Sequence, residues 1–418
     1  MARTDQPEHL AAAFPPLRFT ALRRALAVQP DDYARHHGAL EGAACGLSPY
    51  LTHGILNAAE LFGIWQQRLG LTLADKLCQD LAWRSFHQHT WRHLGDGIFD
   101  DIRPRTWLPP GQHIPYTEQL PADIRMAATG VPVIDASVRQ LYATGHLHRQ
   151  QRLWLASYIV HLRKVDWRAG AGWMLGHLLD GDPASNHLSW QWVAGCFSDK
   201  PWLFNADSVA RSAPQLASTG TAIDRSHEEL EALALSPQAA EAEALRPLPM
   251  REPALLAHPP WSANPPLPGS LRGHEVQLVH PWMLSATTTD ALRVGLIHLP
   301  HHASFPWSAQ RWSFVHARMQ QCCDFIWVGD LRHAQAWLAE AHSVSSVWTP
   351  HAIYREALEL AGVRLLDAPA PWAEPTLPCA SFQSYLTAIT RLTPALMQTT
   401  MRGQVRRLRD ANQRSPGG

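Results

Sequence analysis

The spacing of hydrophobic positions changes character once along this chain. From about residue 12 to 212, apolar residues recur at three and four spacing, as in "ALRRALAV", "AELFGIWQQRLG", "DKLCQDLAWRSFHQHTWRHL" and "IDASVRQLYATG". That period marks helices that bury one face. The last of these opens after Pro132 and stops at Gly145, a helix start and a C-terminal cap. "RLWLASYIVHLRKV" and "AGWMLGHLL" continue the pattern, and no alternating run interrupts it. Residues 213–272 lose the period and become rich in Pro, Ala and Glu, which predicts a linker with one short helix at 227–235. Short β-rich runs then follow at 275–280, 292–299, 324–329, 345–350 and 363–368. Helical stretches separate the later ones ("SAQRWSFVHARMQQ", "LRHAQAWLAEAH", "YREALELAG"), the code of a parallel, doubly wound sheet. The expected organisation is multidomain: an all-α domain over 1–212, a linker over 213–272, a small α/β Rossmann-like domain over 273–395, and a basic tail over 396–418 that carries five Arg.

A length of 418 residues agrees with more than one domain. Lys plus Arg equals Asp plus Glu at 36 each, so net charge argues neither for nor against nucleic acid, and only a local basic face would. The six cysteines show no CxxC and no finger-like spacing, which argues against a disulfide framework or a zinc module and fits a reducing cytoplasm. "MARTDQPEHLAAAFPPLRF" has an acid before any apolar run and two prolines, Pro15 and Pro16, inside that run, unlike a signal peptide. The sequence holds no membrane-length apolar run. Neither GxGxxG nor GxxxxGK occurs. His87, His89 and His93, or His301 with His302, lack HExxH context or a Cys partner, so surface or core histidines are expected rather than a metal site.

Chemistry concentrates in "LLDGDPASNHLSWQWVAGCF", Leu178 to Phe197. Asp180 and Asp182 on a Gly-broken turn can accept hydrogen bonds from a heterocycle or a ribose, and Asn186 can offer an N–H or a C=O. Trp190, Trp192 and the upstream Trp167 can relay an electron to a redox ring, or simply fill helix interfaces with Asp182 as a cap. Asp80, Arg84, His87 and Trp91 fall on one helical face; the alternative there is a solvated helix with a buried Trp.

The ordered blocks "TGVPVIDASVRQLYATGHLHRQQRLWLASYIVHLRKVDWRAGAGWMLGHLLDGDPASNHLSWQWVAGCFSDKPWLFN", preceded by "GLSPYLTHG" and "LAWRSFHQH", resemble the flavin-binding domain of the DNA photolyase and cryptochrome family across residues 30 to 210. The resemblance implies an all-α FAD-binding domain. It places Tyr33, Leu47, Ser48, Arg84, His148, Arg152, Asp180, Asp182 and Asn186 at FAD, with an Arg152–Asp180 ion pair beside the flavin. It places Asp80 opposite a damaged base, Trp83 stacked on that base, and Trp190 then Trp167 in an electron relay. It implies damaged DNA carrying pyrimidine dimers as partner, and light-driven reversal of the dimer by reduced FAD. A cryptochrome-like blue-light photoreceptor without repair activity is the alternative, as is a degenerate member that has lost FAD. Arg139, Arg149, Arg163 and Lys164, with the Arg-rich tail, are the candidates for a basic DNA face.

The sequence also departs from the family pattern. Ala44, Cys45 and Gly46 replace the hydroxyl-bearing and basic residues usual before "LSP", His146 replaces a Trp, Arg149 an Asn, and Asp80 the more frequent Glu. The third relay Trp is Ile124, so an exit through Trp154 or Trp173 would be needed. "CCDFIWVGDLRHAQAWLAEAHSVSSVWTPH" and "EALELAGVRLL" resemble the middle of the family's antenna domain in permuted order; a second, antenna chromophore is unknown, and a purely structural α/β domain is the favoured reading.

Overall fold

The computed structural model describes residues 13–42, 44–285 and 290–397. Most of the expected basic tail lies outside them. Helices run from Arg18–Ala27 to Ala206–Ser212. The Pro132–Thr144 helix has Pro at its start and ends on Gly145 with φ of 62°, a left-handed cap that a side chain would strain. The long helix Lys76–Leu94 and the helices Arg149–Ser157, Trp167–His177 and Pro183–Ala194 enclose the acidic turn.

The stretch expected as a linker is packed over its first half. The helix His227–Leu235 forms where the pattern placed it, with Leu230 and Ala234 buried, and Ile223 and Leu230 join the core built on residues 120–213. Backbone amides of Ala240, Glu243 and Met250 donate to carbonyls of Leu162, Thr129 and Met126. Pro and Ala content signalled irregular backbone, not freedom, because the periodic apolar signal is too sparse to show docking.

Five parallel strands follow, side by side as Phe325–Gly329, Leu292–His298, Glu275–Val279, Ser343–Val347 and Arg364–Leu366. The fourth begins two residues before the expected 345 and ends before Pro350, which cannot donate to a ladder. The order reverses between Glu275–Val279 and Ser343–Val347, the place where doubly wound sheets receive ligands. Here that crevice is filled by the chain itself: Trp282 lies flat on His351 (centroids 3.3 Å, 18°), with His301 and Tyr354 edge-on to the indole.

The two parts share one core. Leu47, Tyr50, Leu56 and Leu61 of the early helices cluster with Val279, Ile297, Trp307, Trp312 and Phe314, and with Trp372, Tyr385 and Ile389 from beyond the sheet. No helix among the described residues is long and apolar enough to cross a membrane.

Candidate functional site

The acidic turn lies between the helices Trp167–His177 and Pro183–Ala194, and its own Asp182 fixes the start of the second. Asp182 caps Pro183–Ala194, accepting from Ser185 N (3.2 Å) and Ser185 Oγ (2.6 Å). It also accepts from Gln88 Nε2 (2.8 and 2.9 Å) and Arg84 Nη1 (3.3 Å) on the Lys76–Leu94 helix. Asp182 is therefore both the cap and part of a polar knot, and the two readings of this residue are not exclusive. Gln88 was missed in the sequence; it sits one turn beyond Arg84 on the same face, which is the signal that marks it.

Asp180 is buried. Its Oδ2 accepts from Arg152 Nη2 at 2.7 Å, and its Oδ1 is buried without a hydrogen-bond partner. Burial alone would raise its pKa, but Arg152 and the nearby His146 outweigh it and hold the carboxyl at about 2. A charged oxygen left without a donor inside a protein costs free energy, so this atom fits a ligand that brings an N–H. The indole Nε1 of Trp190 is likewise buried without a partner. Asn186 Nδ2 donates to Ala171 O (2.8 Å), which fixes the amide's orientation. These groups fit the ring edge of a flavin.

The other expected contacts fall unevenly. Leu47 is buried and Ser48 opens the short helix Ser48–Thr52. Ahead of it, Gly46 leaves room for the Arg24 guanidinium: a Cβ there would sit 2.4 Å from Arg24 Nη1. A cation from a distant helix thus stands where Ala44, Cys45 and Gly46 bring none, and no local pattern announces it. His148 caps Arg149–Ser157, accepting from Gln150 N at Nδ1 while Nε2 meets His37 O (3.1 Å). Both ring nitrogens are spent on backbone, so the expected cofactor contact at His148 narrows to the ring face. Tyr33 donates to Asp80 Oδ2 (2.7 Å), and Lys76 pairs with Asp80 Oδ1, so a residue expected at FAD and one expected at a damaged base meet each other.

Residues 77–247 match the family model of the FAD binding domain of DNA photolyase. Over 171 residues the chain is 37% identical to a deoxyribodipyrimidine photo-lyase of Streptomyces griseus, covering 40% of this chain and 36% of that protein. Over 204 residues it is 33% identical to one from Synechococcus, covering 46% and 40%. A bacterial class III photolyase structure from Agrobacterium tumefaciens aligns over 57% of this chain and 58% of that one, with TM-score 0.44 and 22% identity. The helical part is similar to the FAD-binding part of the DNA photolyase and cryptochrome family. The chain spans less than half the length of these curated relatives.

Packing corrects two of the expectations. Trp154 and Trp173 are buried, so neither provides a surface exit for an electron; Trp192 and Trp202, centroids 6.2 Å apart, are only half-buried. The proposed basic face also shrinks. Lys164 is buried and caps the His227–Leu235 helix by donating to Leu233 O (2.7 Å) and Ala234 O (2.9 Å). Arg163 pairs with Asp123 (2.8 Å), and Arg139 donates to Ala127 O and Leu248 O. Arg149 alone of the four is exposed. Among the described residues no group of His, Cys, Asp and Glu is set to hold a metal.

Proposed function

We propose that the helical domain binds one FAD against Arg152, Asp180, Asp182 and Asn186 and that the protein reverses pyrimidine dimers in DNA under blue light. The observation that carries the flavin assignment is the Arg152–Asp180 pair with its open, buried Oδ1, inside a segment matched by the FAD-binding family model. Relatives named deoxyribodipyrimidine photo-lyase support the reaction. Bound there, FAD would supply light absorption and the transferable electron, which is the cofactor's own chemistry. The chain's residues position it: Arg152 and Asp180 hold the ring edge, Gln88 and Arg84 hold Asp182, and buried apolar helices exclude water. Asp80 and Trp83 would meet a base turned out of the duplex, at a cost of a few kcal/mol that a damaged pair lowers. All six cysteines are free thiols, in keeping with a reducing, cytoplasmic setting.

One observation favours the photoreceptor reading. Phe382 already stacks on Trp83, and Asp80 is already held by Tyr33 and Lys76, so the base-facing pair is engaged within the protein.

The deciding experiment is an absorption spectrum of protein purified in the dark, followed by illumination of the reduced protein with dimer-containing DNA. A yellow protein that reverses dimers supports repair, and one that holds FAD without reversing them supports the photoreceptor. Colourless protein that stays so with excess FAD overturns both.

A further inference from the structure

Arg311 lies in the first turn of the helix Ala309–Cys322 of the α/β part, more than a hundred residues from the acidic turn, yet its side chain ends inside that turn. Its Nη2 donates to Gly181 O (2.6 Å) and its Nη1 to Leu175 O (3.3 Å). The guanidinium is buried and lies over the Trp307 ring at 4.0 Å, and its Nε has no partner. The glycine between the two aspartates makes the approach possible: a Cβ on Gly181 would sit 2.5 Å from Arg311 Nη1 and 2.5 Å from Leu175 O. Neighbours fasten the same junction. Gln310 Nε2 donates to Tyr142 O (2.6 Å), and His53 lies between Pro281 O (2.7 Å) and Leu179 O (2.9 Å).

The charges do not cancel. Asp180 is paired by Arg152 and Asp182 by Arg84, while Arg311 meets only carbonyls and no carboxylate at ion-pair distance among the described residues. Burial lowers its pKa to about 9, with Asp180 and Asp182 holding it up, so the group is charged at neutral pH. An isolated buried cation is costly, and such a cost is offset where an anion is bound.

We infer that Arg311 is a positioning residue of the flavin site, supplied by the α/β part, which clamps the Asp180–Gly181–Asp182 turn and provides the surplus positive charge that favours a reduced, anionic flavin. The inference rests on the flavin reading above. Two electrons and one proton convert neutral oxidised flavin to the reduced anion, so a nearby fixed cation raises affinity for the reduced form more than for the oxidised form. The α/β part then acts on the flavin site through one side chain, whether or not it holds a chromophore of its own.

The test is a redox titration of bound FAD with dithionite and an indicator dye, together with FAD affinity, for wild type, Arg311→Lys and Arg311→Gln. Arg311→Gln should lower the preference for reduced over oxidised flavin by about tenfold or more, moving the midpoint to lower potential. Arg311→Lys, which keeps the charge and loses the fork, should recover most of the potential while binding FAD less tightly. If Arg311→Gln does not fold, the lysine variant still decides. A potential at wild-type value with weaker FAD binding supports the assignment, whereas wild-type values of both overturn it. Wild type that binds FAD beside an Arg311→Gln protein with the same potential overturns the inference alone. Wild type that takes up no FAD overturns it together with the flavin reading.

Discussion

Phe382 lies flat against Trp83, with ring centroids 3.9 Å apart and planes 11° apart. The segment that carries it is tied down on both sides: Glu374 Oε1 meets His89 Nδ1 (2.5 Å), Cys379 N donates to His89 Nε2 (3.1 Å), and Tyr385 and Ile389 are buried. Stacking of this kind adds about 0.5–1.5 kcal/mol beyond burial, less than a docked segment needs to leave but enough to compete with a base. Phe382→Ala should therefore tighten binding of a dimer-containing oligonucleotide several-fold, read by quenching of tryptophan fluorescence, and lower stability by about 1 kcal/mol. Unchanged affinity would show that the phenyl ring does not compete for Trp83.

The Arg152–Asp180 pair sets a pH dependence. Asp180 has its pKa lowered from 3.8 to about 2 in the folded protein. A depressed carboxyl contributes stability above its unfolded pKa of about 4 and loses it as pH falls through the folded value. Wild type should thus lose roughly 2 kcal/mol between about pH 4 and pH 2 that Asp180→Asn does not lose over the same window. Removal of either partner should also weaken FAD binding more than removal of both, because the lone charge stays buried. Additive losses in Arg152→Ala, Asp180→Ala and the double variant would count against the coupling.

Much of this was legible in the sequence, and the residues show why the remainder was not. The helix starting at Pro132, the cap at Gly145, the short helix 227–235 and the strand–helix alternation beyond 275 arise from local period and cap chemistry, so local patterns sufficed. Asp182 as cap was legible in the residues of the turn itself, and Asp180 as partner of Arg152 because ordered blocks placed the pair. Arg24, Arg311 and Phe382 were not. Each reaches the site from a distant element, over 22, 130 and 299 residues from Gly46, Gly181 and Trp83, and nothing local in their surroundings signals a long-range contact. Lys164 failed in the opposite sense: a basic residue after a helix looks like surface, and only the tertiary position of Leu233 and Ala234 turns it into a buried cap.

That difference separates two kinds of basic residue in any test of DNA binding. Arg149 is exposed and its charge is felt by Tyr33 and His87, close to Asp80. Arg149→Ala should weaken binding to ultraviolet-irradiated duplex and reduce the slope of log affinity against log salt by about one. Lys164→Met should leave that slope unchanged and cost about 1–3 kcal/mol of stability, since two helix carbonyls lose their donor. A salt titration of both variants beside a denaturant melt checks the assignment, and equal slopes for wild type and Arg149→Ala would remove Arg149 from the interface.

The last expectation concerns electron entry. Trp190 is buried one turn beyond Asn186, with its indole Nε1 lacking a partner and its ring wedged so closely on Gly170 that a Cβ there would lie 2.4 Å away. Trp167 donates to Asp101 Oδ1 (2.7 Å) and has the Arg168 guanidinium 4.9 Å over its ring, a polar setting for a second station. Ile124 at the third position is buried and cannot be oxidised within reach of solvent. With no indole there, a hole that reaches Trp167 should return to the flavin more often than it escapes. Trp190→Phe should nearly abolish photoreduction of bound FAD by an external reductant while leaving the dark absorption spectrum unchanged. Ile124→Trp should raise the yield if the buried site accepts the larger ring, at a cost of about 1–3 kcal/mol from overpacking. Time-resolved absorption under blue light measures both. Photoreduction of Trp190→Phe at the wild-type rate would place the relay elsewhere, with the half-buried Trp192 and Trp202 the next pair to replace.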